Sequence, residues 1–169
     1  MYLLPKPKTI KEQDGQMLLC HSTHIVMTKE VAETEMHAAK RLQEAIRQET
    51  GLILPFSVGE VREGDLSLGI AKTLPEQTYE ITIDEKGGQI SGGDGAGVLY
   101  GVETFCQIVQ QCGGILPCVQ IQDAPDMPNR GYYFDQTRGR VLKLEELPAF
   151  LQRCAEKEPD MYVALYADE

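Results

Sequence analysis

The sequence has little positive charge, and this scarcity narrows the range of partners that it suits. It carries 16 Lys and Arg against 26 Asp and Glu, a formal net charge of -10. Nucleic acids and anionic membranes are bound through clustered basic side chains, so we predict no nucleic-acid partner and no membrane. No apolar run approaches the roughly 20 residues that span a bilayer, and residues 1–6 lack a signal-peptide pattern. We therefore expect a cytoplasmic protein.

Metal, redox and nucleotide motifs are also missing. The five cysteines are an odd number without a C-x-x-C pair, and the three histidines form no H-E-x-x-H, so disulfide frameworks and common zinc sites are excluded. The glycine-rich segment 92–97 precedes a helical pattern, as phosphate-binding loops do. It lacks the third glycine of the dinucleotide fingerprint, and Asp94 would repel a phosphate. We predict a tight strand-to-helix turn there, reduced buried thiols, no metal and no cofactor.

What the sequence contains is a set of strand and helix patterns sufficient for one ordinary core. Its 169 residues are 42% hydrophobic and 25% charged, as in soluble globular proteins. Periodic apolar residues predict a helix over 28–50 that ends at Gly51 and a second helix from 98 that ends at Gly113. Strand patterns occur at 23–28, 54–58, 66–71, 79–84, 89–91 and 115–121, with a short edge strand near 16–20. Pro117 indicates an edge or entry position. The predicted fold class is α+β, a mixed sheet with two helices on one face.

A rigid connector divides the chain near residue 127. Pro125 and Pro128 fix the backbone and remove amide donors, so neither a helix nor a central strand can include this stretch. We predict one domain over 1–127 and a second segment over 128–169.

The segment 128–169 reads as strand, helix, strand. An aromatic run at 132–134 predicts the first strand, leucines at helical spacing from residue 144 predict the helix, and the apolar run 161–166 predicts a parallel strand. Such a β-α-β unit is the repeat of a (β/α)₈ barrel, which needs about 250 residues. Ligands in these folds bind beyond the carboxyl ends of the strands, which makes Asp135 and Arg138 candidate site residues.

The residues around this boundary form a pattern found in a known family. They are Asp123, Pro125, Arg130-Gly131, three apolar residues, Asp135 and Arg138, then Val141, and upstream Ala96-Gly97-Val98-Leu99-Tyr100-Gly101 with Thr104 and Gln107. The pattern resembles glycoside hydrolase family 20, the β-N-acetylhexosaminidases. The resemblance implies a zincin-like N-terminal domain joined to the first strand, helix and second strand of an incomplete catalytic barrel. The sequence departs from the family at 158–160, where Glu-Pro-Asp replaces the usual Lys-x-Asn.

The resemblance also implies a function for the complete protein. Family members release terminal N-acetylhexosamine by a substrate-assisted retaining mechanism. This mechanism is an exception to the two-carboxylate mechanism that most glycosidases use. Their acid/base glutamate and orienting aspartate follow the fourth barrel strand. No residue of this chain matches that pair, so the resemblance implies no catalytic residue here and an inactive isolated chain.

Sugar-binding residues are the part of the family's site that this chain can match. Arg130 matches the family's sugar-binding arginine, and Asp168 or Glu169 matches the acidic residue after the second strand. Asp135 and Arg138 either line the site or form a structural ion pair. Because consecutive residues of an extended strand point to opposite faces, Asp168 and Glu169 do not suit a glycosidase pair.

Two further hypotheses concern the chain on its own. The 169 residues are alternatively a self-sufficient, non-catalytic carbohydrate-binding or protein-interaction module. A lone strand-helix-strand presents unpaired edges, so we expect residues 129–169 to fold back on the small domain or to self-associate through this barrel stub. In the complete protein the implied partners are N-acetylhexosaminide sugars.

Overall fold

A computed structural model of the chain describes residues 1–27, 33–127, 130–135, 143, 145–150 and 161–166. It divides into two compact units, Met1–Pro125 and Asp126–Glu169. In the first unit a seven-stranded sheet has the order β1-β7-β5-β6-β4-β2-β3. Its strands are β1 (Thr9–Leu18), β2 (Ile25–Met27), β3 (Phe56–Val58), β4 (Leu66–Ile70), β5 (Tyr79–Asp84), β6 (Gly87–Gly92) and β7 (Ile115–Asp123).

The sheet is mixed, as predicted. Strands β1, β7, β5 and β6 pair antiparallel, and β6, β4, β2 and β3 pair parallel. Strands β5 and β6 form a hairpin in which β6 begins two residues before the predicted start at 89, because Gly87 already pairs with Asp84. The Asp84 carboxylate fixes the turn of this hairpin by accepting hydrogen bonds from the amides of Lys86 at 2.8 Å and Gly87 at 3.1 Å.

Two helices, α1 (Glu33–Thr50) and α2 (Gly95–Cys112), pack against each other and against the sheet. Arg41 of α1 donates to both carboxylate oxygens of Glu103 of α2, at 2.9 and 3.1 Å, and so ties the helices together. Both helices end at the predicted glycines, Gly51 and Gly113, which have φ of 76° and 64°. Only glycine adopts this left-handed conformation without strain. The predicted start of α1 at Thr28 lies outside the described residues.

The core lies between the helices and the sheet. Each helix buries one apolar stripe, as its periodicity predicts. The buried residues of the helices are Ala38, Ala39, Leu42, Ala45, Ile46, Val98, Val102, Phe105, Ile108 and Val109, and the sheet contributes Met17, Ile25, Met27, Leu66, Leu68, Ile81, Ile83, Ile90, Val119 and Ile121. The architecture is therefore the predicted α+β domain.

Two predictions about the edge of the sheet were wrong in part. Strand β1 is ten residues long, not a short strand near 16–20. It covers β7, which is consequently an interior strand and not an edge. Pro117 nevertheless lies at the entry of β7, outside the residues from Val119 onward that pair with β5. Its missing amide therefore removes no ladder bond to β5.

The second unit contains β8 (Arg130–Asp135) and β9 (Met161–Tyr166), which pair parallel in a two-stranded sheet. Residues 147–150 are helical, within the segment that the leucine spacing predicts. Residues 145 and 146 form a turn before this helical segment, and the other residues of that predicted helix lie outside the described ones.

Candidate functional site

The carboxyl ends of β8 and β9 lie side by side. The strands pair in register from Arg130 opposite Met161 to Asp135 opposite Tyr166. Parallel strands joined by a helical connection present their following loops at one edge of the sheet, where ligands bind in α/β folds. The backbone therefore places Asp135 at the carboxyl end of β8, and its role as a site residue stays a prediction.

Two of the predicted site residues, Arg130 and Asp135, lie at opposite ends of β8. Arg130 begins β8 and Asp135 ends it, and five steps of about 3.3 Å put roughly 16 Å between them. Arg138, Asp168 and Glu169 lie outside the described residues. In sequence they follow the carboxyl ends of the two strands, which is the end marked by Asp135 and not by Arg130.

A buried polar network anchors the end of β7, where the predicted connector begins. The Tyr79 hydroxyl lies 2.7 Å from the Thr104 hydroxyl and donates to Asp123 Oδ2 at 3.3 Å. The other oxygen, Asp123 Oδ1, accepts from the amide of Lys8 at 3.2 Å. Tyr79 of β5 and the entry to β1 thus hold Asp123, the first residue of the Asp-x-Pro motif, and Thr104 of α2 contacts the Tyr79 hydroxyl.

Burial raises the pKa of Tyr79 well above its usual value, although the Thr104 hydroxyl opposes this. The phenol therefore stays protonated at all ordinary pH values and can serve as the donor to Asp123. Sequence reasoning missed this network, because Tyr79 reads only as the first apolar position of an alternating strand. The Asp-x-Pro motif was the one signal that pointed to Asp123.

The glycine-rich segment is the predicted tight turn. Asp94 caps α2, with Oδ1 accepting from the amides of Gly97 at 2.7 Å and Gln77 at 3.1 Å. A side chain at Gly97 would collide with the Thr78 carbonyl oxygen, and one at Gly93 would collide with the Pro75 carbonyl oxygen. These glycines therefore allow close backbone packing, and the amide that a phosphate would require is already bonded to a carboxylate.

The four described cysteines are free thiols of two kinds. Cys106 and Cys118 are buried, as predicted, and burial raises the pKa of Cys106 to about 12. Cys20 and Cys112 are partly exposed, so the prediction of buried thiols was wrong for these two. The Ser22 hydroxyl, whose oxygen lies 3.1 Å from the Cys20 sulfur, is the main reason that the Cys20 pKa falls from 9.0 to about 7.

Within the described part of the chain, no group of three or more His, Cys, Asp or Glu side chains has an arrangement that could hold a metal ion. Of the helices that the structure describes, none has the length and apolar character needed to cross a membrane.

Comparison of the sequence with known relatives gives one consistent result. Residues 1–124 match the family model described as glycosyl hydrolase family 20, domain 2. The chain is 28% identical over 157 residues to a β-hexosaminidase of Porphyromonas gingivalis, covering 86% of this chain and 20% of that protein. It is 29% identical over 138 residues to a β-hexosaminidase of Vibrio furnissii, covering 80% and 21%. The chain thus spans about a fifth of these relatives' length.

Solved structures share the fold. A variant of Streptomyces plicatus β-hexosaminidase in complex with its product GlcNAc superposes with a TM-score of 0.77 at 20% identity, covering 95% of this chain and 33% of that one. The exo-β-N-acetylglucosaminidase of Vibrio harveyi in complex with N-acetylglucosamine gives 0.73 at 20% identity, covering 91% and 24%. Since the family model covers most of the chain, this protein belongs to glycosyl hydrolase family 20, of which it carries the N-terminal domain 2.

Proposed function

We propose that this chain is the N-terminal portion of a β-N-acetylhexosaminidase, which in its complete form hydrolyses terminal N-acetylhexosamine by a substrate-assisted retaining mechanism. The observation that carries the proposal is the match of residues 1–124 to domain 2 of the family. Relatives named β-hexosaminidase are about five times longer than the region they share with this chain, which leaves room for a catalytic domain.

Residues 128–169 begin the catalytic barrel in this proposal. The parallel pairing of β8 and β9, with a helical segment at 147–150 between them, supports it, because the β-α-β unit is the barrel's repeat. The remaining units and the acid/base pair would be encoded downstream. The isolated chain should therefore release no product from an aryl N-acetylglucosaminide.

The test compares this chain with a version extended through the downstream coding sequence. Turnover by the extended protein, with none from residues 1–169, is the expected result. A stop codon directly after residue 169 would overturn the proposal, as would turnover by the short chain that survives removal of trace contaminants.

The proposed sugar-binding residues are Arg130, Asp168, Asp135, Arg138 and Glu169. Asp135, Arg138 and the two terminal carboxylates fit the rule that sites lie beyond the carboxyl ends of barrel strands, whereas Arg130 would have to contribute from the amino end of β8. Guanidinium groups donate forked hydrogen bonds that suit vicinal hydroxyls.

In the extended protein, loss of such a bond in Arg130→Ala or Arg138→Ala should lower kcat/KM by about ten- to a hundredfold. Lys143→Ala removes an exposed cation from the same unit and is the matched control. A decrease in Arg138→Ala alone would remove Arg130 from the site. Three variants with the activity of the parent would contradict both assignments.

Two properties of the isolated chain complete the proposal. Among the described residues, β8 and β9 pair only with each other, so their outer edges favour self-association or folding back on the first unit. A strict monomer by light scattering, with rapid amide exchange throughout 129–169, would contradict both alternatives.

We also propose a cytoplasmic location, which cell fractionation tests.

A further inference from the structure

A polar cleft opens at one end of the seven-stranded sheet, beside β2, β3 and the loop that joins β3 to β4. Its volume is about 330 Å³, and it is lined by His24, Ser57, Val58, Glu60, Arg62 and Asp65. Small-molecule sites start at about 300 Å³, so the cleft has room for one sugar-sized ligand.

The cleft is built around a buried carboxylate. The Asp65 side chain is 4% exposed, and each of its oxygens accepts a backbone amide: Oδ1 from His24 and Oδ2 from Arg62, both at 2.9 Å. Asp65 therefore fixes the loop that carries Glu60 and Arg62 against the start of β2. Because its charge is partly satisfied by these amides, Asp65 acts as a support for the cleft and not as its ligand group.

The His24 ring is also oriented. Its Nδ1 lies 2.9 Å from the Ser22 carbonyl oxygen, which can only accept, so this nitrogen carries a proton. Asp65 Oδ1, at 3.5 Å from the same nitrogen, favours that tautomer. The neutral ring then keeps Nε2 as an acceptor.

The groups that remain for a ligand are mixed in charge and hydrogen-bonding type. Arg62 offers a guanidinium, Glu60 a carboxylate and Ser57 a hydroxyl, while Val58, 57% exposed, adds an apolar contact. A phosphate or carboxylate ligand would meet Glu60 and Asp65 as well as Arg62. A neutral molecule with vicinal hydroxyls and an apolar C–H face satisfies all of these groups at once.

We infer that this cleft binds the end of a neutral saccharide, with Glu60 and Arg62 bonding to its hydroxyl groups. The inference goes beyond the proposed hydrolysis and does not depend on it. Saccharide binding at this cleft would also favour the alternative hypothesis that the chain is a self-sufficient carbohydrate-binding module.

The cleft is open to solvent and only a few side chains could contact a bound saccharide, so we expect its affinity for the saccharide to be weak. For a ligand of about 15 non-hydrogen atoms, the ligand efficiency of drug-sized molecules gives a dissociation constant of about 0.5 mM. Titration of the isotope-labelled 169-residue chain with N-acetylglucosamine, followed by amide NMR shifts, measures binding in this range. Saturable shifts confined to residues 22–26 and 56–66 are the expected result.

Matched variants make the test specific. Arg62→Gln and Glu60→Gln should each weaken binding about tenfold or more, the effect of one lost charged hydrogen bond. Glu63→Gln, an exposed change in the same loop at a residue that does not line the cleft, should leave affinity unchanged. Unshifted amides elsewhere confirm that each variant is folded.

Three outcomes would overturn the inference: no saturable shifts with N-acetylglucosamine, shifts of equal size in all three variants, or tighter binding of inorganic phosphate than of the sugar. Because hydrolysis is measured on the extended protein and binding on this chain, failure of either proposal is distinguishable from failure of the other.

Discussion

Removing one oxygen atom from the core, in Tyr79→Phe, tests whether the network at the end of β7 stabilises the domain. Tyr79 is 4% exposed, and its hydroxyl contacts Thr104 at 2.7 Å and Asp123 at 3.3 Å. The phenylalanine ring fills the same space, so no cavity forms and the change isolates the hydrogen bonds. The contact to Asp123 is long, so most of the effect should come from Thr104, which is 8% exposed and loses its buried partner.

The expected magnitude follows from these two contacts. A net hydrogen bond contributes about 0.5–1.5 kcal/mol, and a buried polar group left unsatisfied costs about 1–3 kcal/mol. We therefore expect Tyr79→Phe to lower the free energy of unfolding by about 1–3 kcal/mol. Tyr2→Phe is the matched control, because Tyr2 is 71% exposed and a surface change of this kind stays within about 0.5 kcal/mol.

The assay is urea unfolding followed by far-UV circular dichroism, since the sequence contains no tryptophan for fluorescence. Combining Tyr79→Phe with Thr104→Val gives a double-mutant cycle, in which the two effects should be non-additive by at least about 0.5 kcal/mol. If Tyr79→Phe matches the wild type, or if the two effects simply add, the network does not stabilise the fold and the reasoning is refuted.

Three further predictions concern separate features. Gly97→Ala should lower the free energy of unfolding by about 1–3 kcal/mol in the same urea assay, because the new methyl group meets the Thr78 carbonyl; an unchanged midpoint would show that the turn can relax. With a pKa of about 7, Cys20 should be roughly half thiolate at neutral pH and the first described cysteine to react with iodoacetamide. Ser22→Ala should slow this reaction as the pKa returns toward 9.0, and equal rates by mass spectrometry would refute the cause. The pKa of Glu44 is lowered from 4.5 to about 2, chiefly by the hydrogen bond from Arg47. The ionised Glu44 therefore stabilises the fold above pH 4.5, and this contribution is lost as the pH falls from 4.5 toward 2. Glu44→Gln should therefore flatten the decrease in urea midpoint in this acid range, and a curve identical to that of the wild type would contradict the assignment.

Features that depend on local periodicity could be predicted from the sequence. Examples are the apolar stripe of α1, the alternating burial along β5 and the glycines at which the two helices end. Each of these features is determined by residues that are close to each other in the sequence. The parallel β8–β9 pair was also predicted, because two apolar runs separated by a helical spacing indicate a β-α-β unit. These elements carry their signal within a few residues.

Only the end of strand β1 could be predicted, because its register is interrupted. Pairing with β7 shifts between Glu12 and Gln16, and Gly15 adopts φ of 107° within this irregularity. The bulge breaks the two-residue alternation that identifies a strand, so residues 9–15 read as polar coil. The interior position of β7 follows from β1 and was missed for the same reason.

The candidate sites show the same division. The prediction of Asp135 as a site residue rests on a motif and a strand end, both of which are local. The Tyr79–Asp123 contact joins residues 44 positions apart, and His24 and Asp65 are separated by 41. Such contacts are created by the pairing of distant strands, and no spacing in the sequence encodes them.

The two glutamines on the outer side of α2 have a consequence for which sequences this fold accepts. Gln111 accepts from the amide of Tyr2 at 2.9 Å and donates to its carbonyl at 2.6 Å, and Gln107 does the same for Leu4 at 2.9 and 2.8 Å. Only the intervening residue, Leu3, is buried. The helix therefore recognises positions 2 and 4 by their backbone alone, so any side chain should be tolerated at either position, with the exception of proline, which has no amide hydrogen to donate.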